Sequence, residues 1–518
     1  MKKYLHLSPT LGKNTDTTIL NNNYNKNYMK KRNFYTSLFF LKVPRMLKQA
    51  AMFALTMFIS STLFAGTYYW NGGTFTTATN WTTVRAGGGS TPTGGVFTNA
   101  GDIFIVQGTG ATTNGVGTGA SNQTLAAGSV WTVSGTVEIE GGATLSSTVN
   151  AGLAIVNIII DGNSTTFGTL STSGSGTVSS TGTTTCKGVM NLLNTSNTNS
   201  FGILTVSNPA SQATSVSINP KTLNCSGAFT VNSGAVVTFA GASSANLSGA
   251  TTCNGTINVT NTSNTVAFTT ISGTGLIYAS RAFTATVAGS TFLAASGGTV
   301  QYVGLPSNLA MLSTYNNLTV DDNGQNRTYT PAPTTVNGNM IVSNNATANI
   351  FKQGTGALTV NGNLTIGTLA TFTNQGNVTT VLGNVTQNGL QTFSAGGSIT
   401  MGGTTQTLSG IGSFVSVIVA SGSTTSLASN ISVTTTGTLS VPSGGALNFS
   451  TFVLSGAGTL TVASGGTVQT SSTGTNGLAT NITNTIKTLN SGANYVFNAA
   501  TTAPFGSLLN SMIQNTTQ

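Results

Sequence analysis

The chain has 518 residues, 65 of them glycine, with 38% hydrophobic and 5% charged residues. Low charge and abundant glycine favour disorder, but the hydrophobic fraction and a strict apolar–polar alternation exclude it. The formal charge of +10 sits at one end: residues 1–48 carry ten Lys and Arg against Asp16, and residues 49–518 carry seven against six acidic residues. A nucleic-acid surface would need basic residues clustered on the folded part, so none is expected.

Residues 1–45 form a polar, Asn- and Lys-rich lead, in which Met29, like Met46 just beyond it, is an alternative start. Residues 46–65 read as a signal peptide: Lys48, an apolar run over residues 50–59, small polar residues, then Ala65 as a cleavage site before Gly66. The run is shorter than the roughly 20 apolar residues of a spanning helix. The expected product is exported, extracellular or cell-surface, and meets the membrane only through its signal. The single histidine, His6, lies in the lead, so the processed chain lacks the commonest general base and metal ligand.

Residues 66–125 differ from the rest of the chain. Trp70 and Trp81 fall here, and Asn99-Ala100-Gly101-Asp102 turns into an apolar strand at Ile103. Repeat arrays need atypical terminal units to cover an open sheet edge. This segment is expected to be an N-terminal cap; the alternative is a carbohydrate-stacking site on Trp70 and Trp81.

Residues 126–518 read as repeats. The frame Val360-Asn361-Gly362-Asn363-Leu364-Thr365-Ile366 recurs from Val133, Cys186, Cys225, Cys253, Val336 and Val381. Position 1 is Val or Cys, position 3 is Gly, and positions 5 and 7 are usually apolar, which reads as one strand with a dry and a wet face. Ser296-Gly297-Gly298, Ser443-Gly444-Gly445 and Ser464-Gly465-Gly466 mark corners where glycine supplies positive φ. The unit is strand, corner, strand, corner, short strand. This predicts an all-β fold, a right-handed parallel β-helix (β-solenoid) with coils of roughly 20–25 residues and an N-terminal cap. A β-sandwich array is the alternative, but it uses longer strands and units of about 100 residues.

Tyr315-Asn316-Asn317-Leu318-Thr319-Val320, Val336-Asn337-Gly338-Asn339-Met340-Ile341-Val342 and Gly298-Thr299-Val300-Gln301-Tyr302 carry a resemblance. So do Asn476-Gly477-Leu478 and Tyr495-Val496-Phe497-Asn498. The chain from residue 66 to 518 resembles the secreted β-strand-repeat surface proteins of Bacteroidetes-type bacteria, and is similar to autotransporter passengers and filamentous adhesins. The resemblance implies a bacterial outer-membrane or cell-surface protein. Such proteins commonly end in a small sorting domain for type IX secretion. This chain stops at Gln518 within another repeat, as expected of a fragment or of a different export route.

Candidate chemistry is sparse. Cys186, Cys225 and Cys253 all hold position 1 of the frame, which reads as an inward ladder of small hydrophobes; a disulfide between stacked coils is the alternative. The acidic residues after residue 48 are Asp102, Glu138, Glu140, Asp161, Asp321 and Asp322. Glu138 and Glu140 are expected to point outward with Asp161 one coil away, and with no basic residue nearby. That reads as a solvated face or, alternatively, a catalytic pair. Asp321-Asp322-Asn323-Gly324-Gln325-Asn326 reads as a turn, with weak Ca²⁺ binding the alternative. No catalytic, cofactor-binding or metal residue is assigned. The expected function is a structural, adhesin-like surface protein without catalysis, its partners a surface polysaccharide or a host or matrix surface. The alternative is a carbohydrate-binding or carbohydrate-active β-helix enzyme.

Overall fold

Alternation makes the strands. In Thr459–Val462 the sequence TLTV buries Leu460 and Val462 and turns Thr459 and Thr461 outward, and the same in–out pattern repeats along the chain. The computed structural model describes residues 65–508, apart from residues 86, 109–121, 163–165, 196, 209–214, 219–221, 242–243, 261–264, 305–310, 322–325, 329–331, 344–349, 355, 394–395 and 474. The lead, residues 1–45, and all of the signal segment but Ala65 lie outside those described, as do Asp322 to Gln325.

The strands stack as a parallel β-solenoid, as the repeats predict. Among the described residues one long sheet has 18 strands, from Asn122–Leu125 to Asn494–Phe497, each paired in parallel with the strand one coil on. Its ladder is open, since no pairing among the described residues joins its last strand to its first. Register partners lie from 18 residues apart (Val300 and Leu318) to 27 apart (Val468 and Tyr495). The 17 steps from Gln123 to Tyr495, 372 residues, average about 22, within the expected coil length.

Two further sheets complete the coil. An amino-terminal sheet runs from Thr67–Trp70 to Phe283–Ala285, and a carboxyl-terminal sheet from Thr314–Tyr315 to Ile486–Leu489. In the amino-terminal half one strand makes two sides of the coil. Val130–Ile139 shifts register between Val133 and Thr136, and so bends at Ser134-Gly135. In the middle of the chain those two sides separate. Ile350–Lys352 belongs to a small four-stranded sheet, Leu358–Val360 to the carboxyl-terminal sheet and Leu364–Ile366 to the long sheet.

The seven-residue frame lies within one bent strand at Val133, but at Val360 it is not one strand. Val360 ends one strand, Asn361-Gly362-Asn363 is a corner, and Leu364 begins the next. Val360, Leu364 and Ile366 are all fully buried, because a corner of three residues preserves the odd-position pattern across the turn. The frame also marks two different corners. At Cys186, Cys253, Val336, Val360 and Val381 it leads into the long sheet; at Val133 and Cys225 it stays within the amino-terminal sheet.

Stacked backbones explain the corner residues. Gly362 N–H donates to the Gly338 carbonyl at 2.9 Å, and Gly383 N–H to the Gly362 carbonyl at 3.0 Å. A Cβ on Gly362 would lie 2.5 Å from the Gly338 carbonyl, so glycine is needed there for close approach rather than for positive φ. At the second kind of corner Gly444 and Gly465 do take positive φ, 78° and 75°, whereas at residues 296–298 it is Ser296 that does so, at 65°. The asparagines that follow the frame glycines at 338, 362 and 383 close a second ladder. Asn339, Asn363 and Asn384 each accept, through Oδ1, the backbone N–H of a residue one coil on, at 2.8–2.9 Å.

The core between the sheets is apolar over most coils, and changes character between residues 353 and 406. There Gln353, Asn374 and Thr379 form a buried network, with Thr379 Oγ1 donating to Gln353 Oε1 at 2.6 Å and Asn374 Nδ2 at 3.1 Å. Gln391 Nε2 donates to Gln387 Oε1 at 2.9 Å, and Gln406 Nε2 to the Val381 carbonyl at 2.8 Å. Beside this network Phe351 and Phe372 stack on successive coils, and Phe393 on the next coil meets Phe372 edge-on.

Leu364 lies between Met340 and Val385 in register. Leu364→Asp places an unpaired charge in that stack and is expected to abolish local protease resistance. Asn363→Asp keeps the acceptor and should be tolerated, whereas Asn363→Ala loses one hydrogen bond, about 1 kcal/mol. Limited proteolysis and hydrogen exchange over residues 336–390 check the order; equal sensitivity of Asn363→Asp and Leu364→Asp would refute the assignment of faces.

Candidate functional site

Five of the described charged residues, Arg85, Glu138, Glu140, Asp161 and Lys187, gather where the first segment meets the first coils. Thr67–Trp70 pairs in parallel with Ile103–Val106, and in antiparallel fashion with the short strand Trp81–Thr82 at the sheet edge. Trp81 is fully buried. Its ring stacks on Trp131 at 5.8 Å and meets Phe97 and Phe104 edge-on, and its Nε1 donates to the Phe75 carbonyl at 2.7 Å. A ring so enclosed has no face for a sugar, which removes the stacking alternative for Trp81. Trp70 is partly buried against the same core.

Glu138 and Glu140 have different environments, which corrects the expectation that both point outward. Glu138 stands in an outward column, in register with Ile105 and Ile159. Glu140 is 3% exposed, and it is paired. Arg85 Nη1 donates to its Oε2 at 2.8 Å, Arg85 Nη2 donates to its Oε1, and the Gly108 N–H donates to Oε2 at 3.1 Å. The guanidinium also lies 5.0 Å over the Tyr69 ring. Arg85, and Lys187 with it, correct the expectation that no basic residue lies nearby; 55 positions separate Arg85 from Glu140, and neither of that pair belongs to the repeat frame.

Asp161 and Lys187 follow on successive coils at the same corner. Asp161 N–H donates to the Ile139 carbonyl and Lys187 N–H to the Ile160 carbonyl, at 2.9 and 2.8 Å. The fold thus brings Glu138, Glu140 and Asp161 together, with Arg85 and Lys187 beside them. Burial pushes the Glu138 carboxyl above the usual range, Asp161 and Glu140 push it further, and Arg85 and Lys187 partly oppose them. The arrangement favours the protonated form of Glu138 more than water does. Glu140 instead ties Arg85 to the first coils through a two-pronged ion pair. Among the described residues no three His, Cys, Asp or Glu stand close enough to hold a metal ion.

The remaining candidates are scattered. Asp102 is buried, and its Oδ1 accepts the Gly66 N–H and Asn99 Nδ2. Asp321 is buried at the end of Asn317–Asp321. The three cysteines are free and buried. Cys186 and Cys253 stand in one inward column separated by Val206 and Val231, and Cys225 stands in another beside Phe201 and Leu247. No two are neighbours, so the inward ladder is what the fold builds. Burial raises all three thiols, Cys186 and Cys253 to about 12.

No family model and no curated protein matches the chain. One similar solved structure is the crystal structure of a TibC-catalysed, hyper-glycosylated TibA fragment, residues 55–350. The match covers 78% of this chain and 99% of that one at 16% identity and a TM-score of 0.15, a likeness too slight to bear on function.

Two outcomes are expected. At pH 8 a thiol reagent should label none of the three cysteines in the native chain and all three in denaturant, because the reactive thiolate is suppressed and enclosed; native labelling would refute the ladder. Glu138 has a raised folded-state pKa, so its charge opposes folding above that pKa, and the penalty disappears below the unfolded value near 4.3. Glu138→Gln should therefore protect the amino-terminal coils from urea at pH 8 and make no difference at pH 3.5. A constant effect at both pH values would assign the change to packing instead.

Proposed function

We propose that this chain is an exported, cell-surface structural protein whose solenoid presents adhesive faces and performs no catalysis. One observation supports the reading most directly. On the carboxyl-terminal sheet an outward column runs in unbroken register from Thr314 to Thr488 over nine coils, and comprises seven Thr, Ser440 and Ile418. Each coil except that of Ile418 adds one small, uncharged hydroxyl contact at the strand spacing of about 4.8 Å. Single contacts of this kind are weak, and repetition along one face multiplies them.

The second reading, a carbohydrate-active enzyme, is favoured by Glu138, whose carboxyl is raised beside Asp161. A glycosidase sets two carboxyls across a bound sugar and keeps one of them protonated. Glu140 is committed to Arg85, which leaves Glu138 and Asp161 as the pair that such chemistry would use.

Beads coated with the full-length chain should be retained on polysaccharide or matrix-protein films above beads carrying an inert protein, while the soluble chain binds weakly. The same chain incubated with plant and algal polysaccharides should release no reducing ends and no unsaturated products. Retention no better than the control on every film would end the adhesive reading; turnover lost in Glu138→Gln would replace it with the enzyme.

A further inference from the structure

The small four-stranded sheet ends at Leu390–Phe393, and the coil above it is built differently. There Ser413–Val419 forms a single strand whose pairing with Ile431–Val441 shifts register between Phe414 and Ser416. Val415 N–H turns down to Gln391 Oε1 at 3.0 Å. The change from a three-strand coil to a bent-strand coil leaves a notch on the outer face, a cavity of about 370 Å³. Phe393, Ser398, Val415, Ser416, Ile418 and Thr438 line it.

Phe393 is the key to its chemistry. Phe351 and Phe372 are fully buried and stacked at 5.5 Å, and Phe393 meets Phe372 at 6.2 Å. Among the described residues no strand of the small sheet lies above Phe393, which is partly buried and borders the notch. Val415 and Ile418 extend this apolar floor. Ser416 and Thr438 are register partners, and Ser398 lies one coil below Ser416, since Ile399 pairs with Val417. Hydroxyls therefore stand on three successive coils along one wall, those of Ser416 and Thr438 partly exposed and that of Ser398 on a buried residue at its foot. The column continues to Thr459, beside Ser440, Thr461 and Thr488.

We propose that this notch binds a ring of a neutral, linear polysaccharide, whose neighbouring rings run along the hydroxyl column toward Thr488. The inference rests on the adhesive reading above and supplies its ligand class and site. A pyranose ring has an apolar C–H face and a rim of hydroxyls. An aromatic platform with aliphatic neighbours suits the first, and hydroxyls at fixed spacing suit the second. Among the described residues no charged side chain lines the notch. A uronate, phosphate or metal ion would lose its hydration there without gaining a partner, so charge selects for a neutral chain.

The test is affinity electrophoresis of the full-length chain in native gels containing xyloglucan, galactomannan, hydroxyethylcellulose or, as the charged comparison, alginate. Retardation is expected in at least one neutral gel and not in alginate. Ser416→Tyr, which fills the notch from an outward position, should abolish it, and Phe393→Ala should weaken binding at least tenfold. Thr438→Val keeps the side-chain shape and removes one hydroxyl; it should weaken binding several-fold with an unchanged unfolding transition, which separates lost contact from lost fold. Migration unaffected by every neutral polymer, or retardation equal in wild type, Ser416→Tyr and Thr438→Val, would overturn the site. Bead retention on films, measured in parallel, reports the adhesive reading separately: films that hold the Ser416→Tyr beads as well as wild type would leave adhesion standing without the notch.

Discussion

Everything in this fold depends on successive backbones coming within hydrogen-bonding distance at the corners as well as along the strands. A single coil of about 22 residues encloses too few apolar side chains to offset the backbone entropy of ordering it, about 1–2 kcal/mol per residue. It holds only because its N–H and C=O groups face those of the coils on either side. The glycines at 338, 362 and 383 keep that contact unbroken where the chain turns. A side chain there would push the coils apart by more than a hydrogen bond tolerates. Asn339, Asn363 and Asn384 supply the acceptors that a turning backbone cannot present.

Much of this is legible in the sequence because it is local and repeated. Alternation marks the strands, glycine marks the corners, and the interval between frames sets the coil length. At Val360 the frame reads as one strand, wrongly, for a physical reason: Val360, Leu364 and Ile366 point inward whether the chain runs straight or turns through Asn361-Gly362-Asn363. A period of two cannot tell these cases apart. The pairing of Arg85 with Glu140 is not legible, because it joins a residue outside the repeats to one at a coil corner. Nor is the notch at Phe393, which exists only because two kinds of coil meet above it.

The polar stretch of the interior is the other part that pattern does not foretell. Gln387 follows Ile366 in register and Gln391 follows Phe372, and, with the buried Gln353 and Asn374, they are polar side chains that a search for apolar positions passes over. Gln353, Asn374 and Gln391 spend their amide groups on one another's side chains, on Gln387 and on backbone carbonyls, whereas Gln387 accepts through Oε1 and its Nε2 has no partner among the described residues. An apolar ladder tolerates a slipped register because one hydrocarbon replaces another. A buried amide left without its partner costs about 1–3 kcal/mol, so these coils are held to one alignment. The ion pair of Arg85 and Glu140 acts similarly at the amino-terminal end, where a displaced carboxylate would lose its strongest partners.

The direction of the ladder has a mechanical consequence. Strands run across the solenoid axis, so the hydrogen bonds between coils point along it. A load applied along that axis pulls these bonds in tension and opens them one coil at a time, instead of shearing a whole sheet at once. Each coil released would pay out about 22 residues, on the order of 70 Å of extended chain, while the coils behind it stay folded. A protein tethered by one end and gripped by the other would yield in small, repeated steps and lengthen under strain, and would behave as a ductile cord rather than a brittle rod.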